Sequence, residues 1–259
     1  MLLLGLDTAT PAVTVALHDG CQPLAQLVTV DAHRHAELLA PAIAKVIADA
    51  GAERGDLTGV AVGVGPGPYT GLRVGVVTAR VLGAALDIPV YGVCSLDVLA
   101  ADVECDGGFA VASDARRREV YWARYDETGR WSGPHVGPPA DVPGRDLPVA
   151  GECPLLYPEL FPNGRWPTYP SAAALCRVVV AALAADGSSG DGCTQDGSTR
   201  GGSIRGGSFV DGGARDGSSA GGGAGPGPAV VRPVLLPPEP LYLRRPDARE
   251  PGAPKRVSR

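Results

Sequence analysis

Asp7, Thr8 and Thr10 stand together in the run LGLDTAT, where a carboxylate followed by small hydroxyl residues could order a metal-bound water beside a phosphate. Such a turn normally brings its backbone close to the phosphate, which glycine permits, whereas Ala9 carries a Cβ. The favoured reading is therefore a structural or vestigial site, with Asp7 and Thr10 hydrogen-bonding local backbone. A second candidate is the run GVGPGPYTGLR at 63–73, in which Gly65, Gly67 and Thr70 could present unpaired amides at a helix N-terminus to an anion. It is not a Walker A loop, since no lysine follows its last glycine and Pro66 and Pro68 remove two donors. A plain strand-to-helix connection stays open as the alternative. The histidines do not form a metal pair: two ligands on one helix face stand four apart, and four beyond His35 is Leu39. Cys21, Cys94, Cys105, Cys153, Cys176 and Cys193 include no CxxC pair, which matches neither zinc spacing nor a disulfide framework. No GxSxG elbow is present, so no complete set of nucleophile, base or metal ligands is visible.

The elements that would position these residues are legible from periodicity. Leu2–Leu6 and the alternating Val13, Val15 and Leu17 predict a hairpin, and Leu24–Val30 a third strand. From Arg34 to Ala50 the apolar residues recur at three- and four-residue steps, which predicts a helix that Pro41 should kink or loosen. Val60–Val64 reads as a buried strand, Thr70 as the N-cap of a helix reaching Leu86, Pro89–Val93 as a strand, and Ser95 as the cap of a short helix. Three strands, helix, strand, helix, strand is the order of one RNase H-like lobe of the kind built into actin-like ATPases. Later in the chain Phe109–Ser113, Glu119–Tyr125 and Trp131–Val136 predict strands and Ser171–Ala185 a helix.

Composition sets the outer limits. The chain has 259 residues with 37 Gly and 25 Pro, and much of that excess lies in 187–228, which has almost nothing apolar to bury and reads as a disordered insertion. The domain reading is a first lobe at 1–103, a second at 104–186 plus 229–246, and a disordered tail at 247–259. Within the second, 233–245 offers a short strand or docking segment. A net charge of −5 argues against a surface that grips nucleic acid by itself. The start carries no basic leader, and the longest apolar region, Val74–Val93, is broken by Arg80, Asp87 and Pro89, so a cytoplasmic protein without a membrane span is expected.

The most informative pattern is apolar. Ala36, Ala40, Ala44 and Ala48 form a ladder of small residues beside the Leu39 and Ile43 stripe, and Gly71, Gly75, Ala79 and Gly83 repeat it in the next helix, where Arg80 is one of few polar residues. Helices this apolar expect cover on more than one side, and small ladders allow close approach of another helix. The expected interface thus comprises Ala36, Leu39, Ala40, Ile43, Ala44, Gly71, Gly75, Ala79 and Arg80. The alternative is that the two helices cover only each other and their own sheet.

Taken together, LGLDTAT, RHAELLAPAI, GVGPGPYTGLRVGVVTARVLG, SDARRREVYWARY and LYLRRPDA are similar in order and spacing to the TsaB family, also called YeaZ. The similarity covers residues 1–125 and 233–248; the 187–228 stretch is a departure from it. The resemblance implies an α/β, actin/Hsp70-like (RNase H-like) two-lobed ATPase fold with a reduced second lobe and no catalytic residues of its own. It also implies a role in transferring threonylcarbamoyl to N6 of adenosine 37 in tRNAs that read codons beginning with A. In that family the chain pairs with a catalytic TsaD-like subunit through the two helices of the first lobe, and a TsaE-like ATPase joins them. The metal and ATP or ADP then belong to the partners, no cofactor to the isolated chain, and tRNA is reached only through the complex. The catalytic relatives carry a His-x-x-x-His pair that this sequence lacks. A homodimer of the isolated chain is left open. Two rivals are carried forward: an autonomous nucleotide-dependent kinase or metallohydrolase on the same fold, and an RNA-binding module led by the 244–259 tail.

Overall fold

The computed structural model describes residues 1–185 and 234–243; the 187–228 insertion and the 247–259 tail lie outside the described residues. Strands β1 (Leu3–Asp7), β2 (Ala12–His18), β3 (Pro23–Val30), β4 (Gly59–Gly63) and β5 (Val90–Val93) form one sheet in the order β3-β2-β1-β4-β5. β1, β2 and β3 pair antiparallel, whereas β4 runs parallel to β1 and β5 parallel to β4. Parallel neighbours need a crossover, and the helices α1 (His35–Asp49), before β4, and α2 (Tyr69–Leu86), between β4 and β5, supply it.

Alternation then decides which residue meets which helix. Leu4, Leu6, Val13, Val15, Val60 and Val62 point to the side of α1 and α2 and meet Leu39, Ile43, Val46 and Val76 there. Leu3, Ala61 and Val93 point the other way, against Leu175, Cys176 and Val179 of the last helix, here α5 (Ala172–Ala185). Each large side chain removed from water in this way contributes about 1.5–3 kcal/mol, so the two-sided cover explains why β1, β2 and β4 are buried throughout. Although α5 follows the second lobe in sequence, it packs on the first sheet.

The helix α3 (Ser95–Ala100) leads to the second sheet, made of β6 (Phe109–Asp114), β7 (Val120–Asp126), β8 (Gly129–Gly137), β9 (Val149–Ala150) and β10 (Gly164–Arg165) in the order β10-β9-β6-β7-β8. Counted outward from β6, the directions repeat those of the first sheet: antiparallel to β7, β7 antiparallel to β8, and parallel through β9 to β10. The crossover that α2 fills in the first lobe with 18 residues is here the four-residue α4 (Cys153–Leu156). Two lobes with one topology, the second reduced, make an actin-like two-lobed fold.

Several local expectations need correction. α1 runs unbroken through Pro41, which lies on the exposed side where water reaches the carbonyl freed by its missing N–H. The N-cap of α2 is Pro68 rather than Thr70, and that of α3 is Cys94 rather than Ser95, in both cases without a side-chain capping bond. Among the described residues, Cys94, Cys105, Cys153 and Cys176 are free thiols. Among the described residues no helix is long and apolar enough to cross a membrane.

Candidate functional site

Asp7 ends β1, the central strand of the first sheet, and is wholly buried. The Ser95 hydroxyl donates to Oδ2 at 2.6 Å, and the Ala9 amide donates to Oδ1 at 2.8 Å. Ser95 Oγ in turn accepts from the Gly65 amide at 3.2 Å. The hydroxyl expected to cap α3 is therefore spent on linking Asp7 to the glycine-rich loop. Burial pushes the Asp7 carboxyl up to about 6, while the Ser95 bond, the Ala9 amide and His35 pull the other way.

The turn after Asp7 is shut rather than open. Thr8, Ala9 and Thr10 are buried, and a Cβ on Gly67 would stand 2.9 Å from the Ala9 Cα. Thr8 Oγ1 donates to the Gly71 carbonyl at 2.8 Å, and His35 Nε2 bonds the Thr10 carbonyl at 2.8 Å. The structure thus brings Asp7, Thr8, Thr10, Gly65, Gly67 and Thr70 to one place, but the loop lies on the turn where a phosphate would have to enter. His35 is committed to holding that turn. Beside it a cavity of about 310 Å³ is lined by Thr8, Thr10, His33, His35, Thr70 and Arg116, the last reaching over from the second lobe. Arg116 is paired with Asp114 at 3.3 Å, and Asp114 ends β6 as Asp7 ends β1. Nearby, burial and then the Asp114 charge raise Glu152 to about 7, against the pull of Arg116. Among the described residues no group of three His, Cys, Asp or Glu is placed to hold a metal ion.

The helix face divides the expected interface residues into two sets. Ala36, Ala40, Ala44 and Arg80 are exposed, as is Ala48. Leu39, Ile43, Gly71, Gly75 and Ala79 are instead buried against their own sheet, which corrects their assignment to an interface. The reason is helix phase: the glycine ladder of α2 is the side turned inward, where a methyl on Gly75 would run into Thr8 Oγ1 in the turn after β1, one on Gly71 would stand 2.5 Å from the Thr8 carbonyl, and one on Gly83 would run into Val90 of β5. The outward side of α2 carries Val77 and Val81, 53% and 61% exposed, with Arg73, Arg80 and Ala84. These valines were missed because attention to the small residues hid the stripe opposite them. On α1 the exposed charges keep to a neighbouring stripe, where Lys45 pairs with Asp49 and Arg34 with Glu37, leaving the alanine stripe uncharged. Ala36 and Val74 line the same cavity, so the alanine stripe of α1 begins beside α2.

A family model described as TsaD, tRNA N6-adenosine threonylcarbamoyltransferase, matches residues 27–155. The uncharacterized protein ML0378 of Mycobacterium leprae is 52% identical over 156 residues, 58% of this chain and 43% of that protein. The tRNA threonylcarbamoyladenosine biosynthesis protein TsaB of Escherichia coli is 36% identical over 145 residues, 51% of this chain and 59% of that protein. The match thus spans about half the length of these curated relatives. A crystal structure from Pseudomonas aeruginosa, of an uncharacterized protein with similarity to the peptidase YEAZ, superposes with a TM-score of 0.62 at 30% identity, over 71% of this chain and 92% of that one.

Proposed function

Because the chain belongs to the TsaB/YeaZ family, we propose that it is a non-catalytic subunit in threonylcarbamoylation of N6 of adenosine 37 in tRNA, acting by pairing with a TsaD-type chain. The observation that carries this reading is the exposed apolar surface of Ala36, Ala40, Ala44, Ala48, Val77 and Val81 on two adjacent helices, with Arg73 and Arg80 beside the valines on α2. Exposed apolar residues gathered on one face of a domain mark a surface that another molecule covers. A chain of the same fold would offer an equivalent pair of helices, and alanines on one side let the axes approach closely. In this reading the metal and the nucleotide sit on the partners, tRNA is bound through the assembly, and a TsaE-type ATPase joins it in the cytoplasm. A second copy of the chain is the competitor for the same face when the partner is absent.

The rival, an autonomous nucleotide-dependent enzyme, is not favoured, because the turn that would meet a phosphate is buried beneath the 65–71 loop and its hydroxyl and carbonyl groups are paired within the chain. The test is reconstitution with tRNA, threonylcarbamoyl adenylate and a TsaD-type chain from the same organism. Modified adenosine should form only when both chains are present, and should require no turnover of nucleotide by this one. Modification by this chain alone would overturn the reading.

A further inference from the structure

Residues 234–243, separated from α5 by 186–233, return to the body of the protein and lie across both lobes. Leu236 exchanges two backbone hydrogen bonds with Gly92 of β5, at 2.8 and 3.0 Å, and the Leu241 amide donates to the Val64 carbonyl at 2.7 Å. Gly92 is built to receive this segment: a Cβ there would stand 2.7 Å from the carbonyl oxygens of both Leu236 and Pro237. The Leu236 and Leu241 side chains each touch the apolar cores of both lobes. Pro237, Pro238 and Pro240 restrict the segment before it docks, so little chain freedom is lost on docking.

The far end of the segment reaches the helix face. Tyr242 stacks on Tyr69, the first residue of α2, with ring centroids 5.0 Å apart and planes 26° from parallel. Arg73 lies over the Tyr69 ring at 5.0 Å and donates to its hydroxyl at 2.9 Å. This is the start of a helix without a side-chain cap, where the first amides lack partners and fraying is expected. Tyr242 packs on the side chain of that first turn from outside the helix and so restrains it by contact.

We infer that residues 234–243 form a clasp that holds the lobes together and, through Tyr242 on Tyr69 and Arg73, fixes the first turn of α2 in the geometry a partner meets. The second half of this inference rests on the proposed function; the first does not. The test uses the full chain with Tyr242→Ala, whose side chain is partly exposed and outside the cores, and Gly92→Val, which blocks docking sterically. Hydrogen exchange is followed at the Leu72 amide, which bonds the Pro68 carbonyl, and at the amides after it. Affinity for a TsaD-type chain is measured in parallel. Both variants should speed exchange in the first turn of α2 by about tenfold or more, and weaken the partner by a similar factor. Should Gly92→Val fail to fold, Tyr242→Ala decides alone. Unchanged exchange in Tyr242→Ala overturns the hold of the clasp on the first turn of α2. Faster exchange with unchanged affinity overturns its link to the partner face. A wild-type chain that binds no TsaD-type protein overturns the proposed function instead, while the exchange rates still decide the clasp.

Discussion

Asp7 is a carboxylate buried at the end of the central strand of the first sheet. Its oxygens accept from Ser95 and Ala9, and burial raises it from an ordinary value of 3.8 to about 6, so the folded protein holds the proton more tightly than the unfolded chain does. That contribution to stability is complete below pH 3.8 and is lost as pH climbs through about 6. Asp7→Asn should remove it: against the variant, wild type should lose on the order of 2–3 kcal/mol between pH 4 and 7, read from denaturant unfolding at a series of pH values. Glu152 titrates in the same sense in both proteins and drops out of the difference. Gly75 makes a second test at this scale. Its missing side chain is the space that Thr8 Oγ1 fills, so Gly75→Leu should destabilise the isolated chain by about 1–3 kcal/mol or more, whereas Ala40→Leu on the exposed stripe should leave it nearly unchanged.

The elements show what a helix surface can hide in a one-dimensional reading. The alanine ladder of α1 and the glycine ladder of α2 look alike as strings, yet one faces out and the other is turned inward onto Thr8 and Val90, because small residues serve any close approach, whether within the chain or to another molecule. Only the phase of the large residues separates them: Leu72 and Val76 accompany Gly71 and Gly75 inward, and Val77 and Val81 are left outside. The first lobe was legible because its strands alternate and its helices keep one stripe. β9 and β10, two residues each, are too short to show any period, and the Ser95 hydroxyl was assigned to a cap when a buried carboxylate of the first strand had the stronger claim on it. The partner of α5 was equally hidden, since no local pattern says that a helix following the second sheet will cover the first. Leu175→Ala in that helix should lower the midpoint of the whole first lobe and cost about 2–5 kcal/mol in chemical denaturation, because the side chain is fully buried among Leu3, Ala61 and Val93.

At the scale of the molecule, a duplicated topology has been put to unequal use. The first lobe keeps its crossover helices at full length and shows their outer sides, while the second reduces the matching helix to one turn. The cleft between lobes, where a ligand would be sought in this fold, is bridged by Arg116 and by the segment at 234–243. The outer face of α1 and α2 is exposed and carries Ala40, Val77 and Val81. Titration of a TsaD-type chain from the same organism into wild type and into the Ala40→Glu, Val77→Glu double variant tests its proposed role most directly, with thermal unfolding of each chain as the control. Wild type should bind one to one, and the variant should bind at least about a hundredfold more weakly with its unfolding midpoint unchanged. Equal affinity in the two would contradict the assignment of this face to the partner.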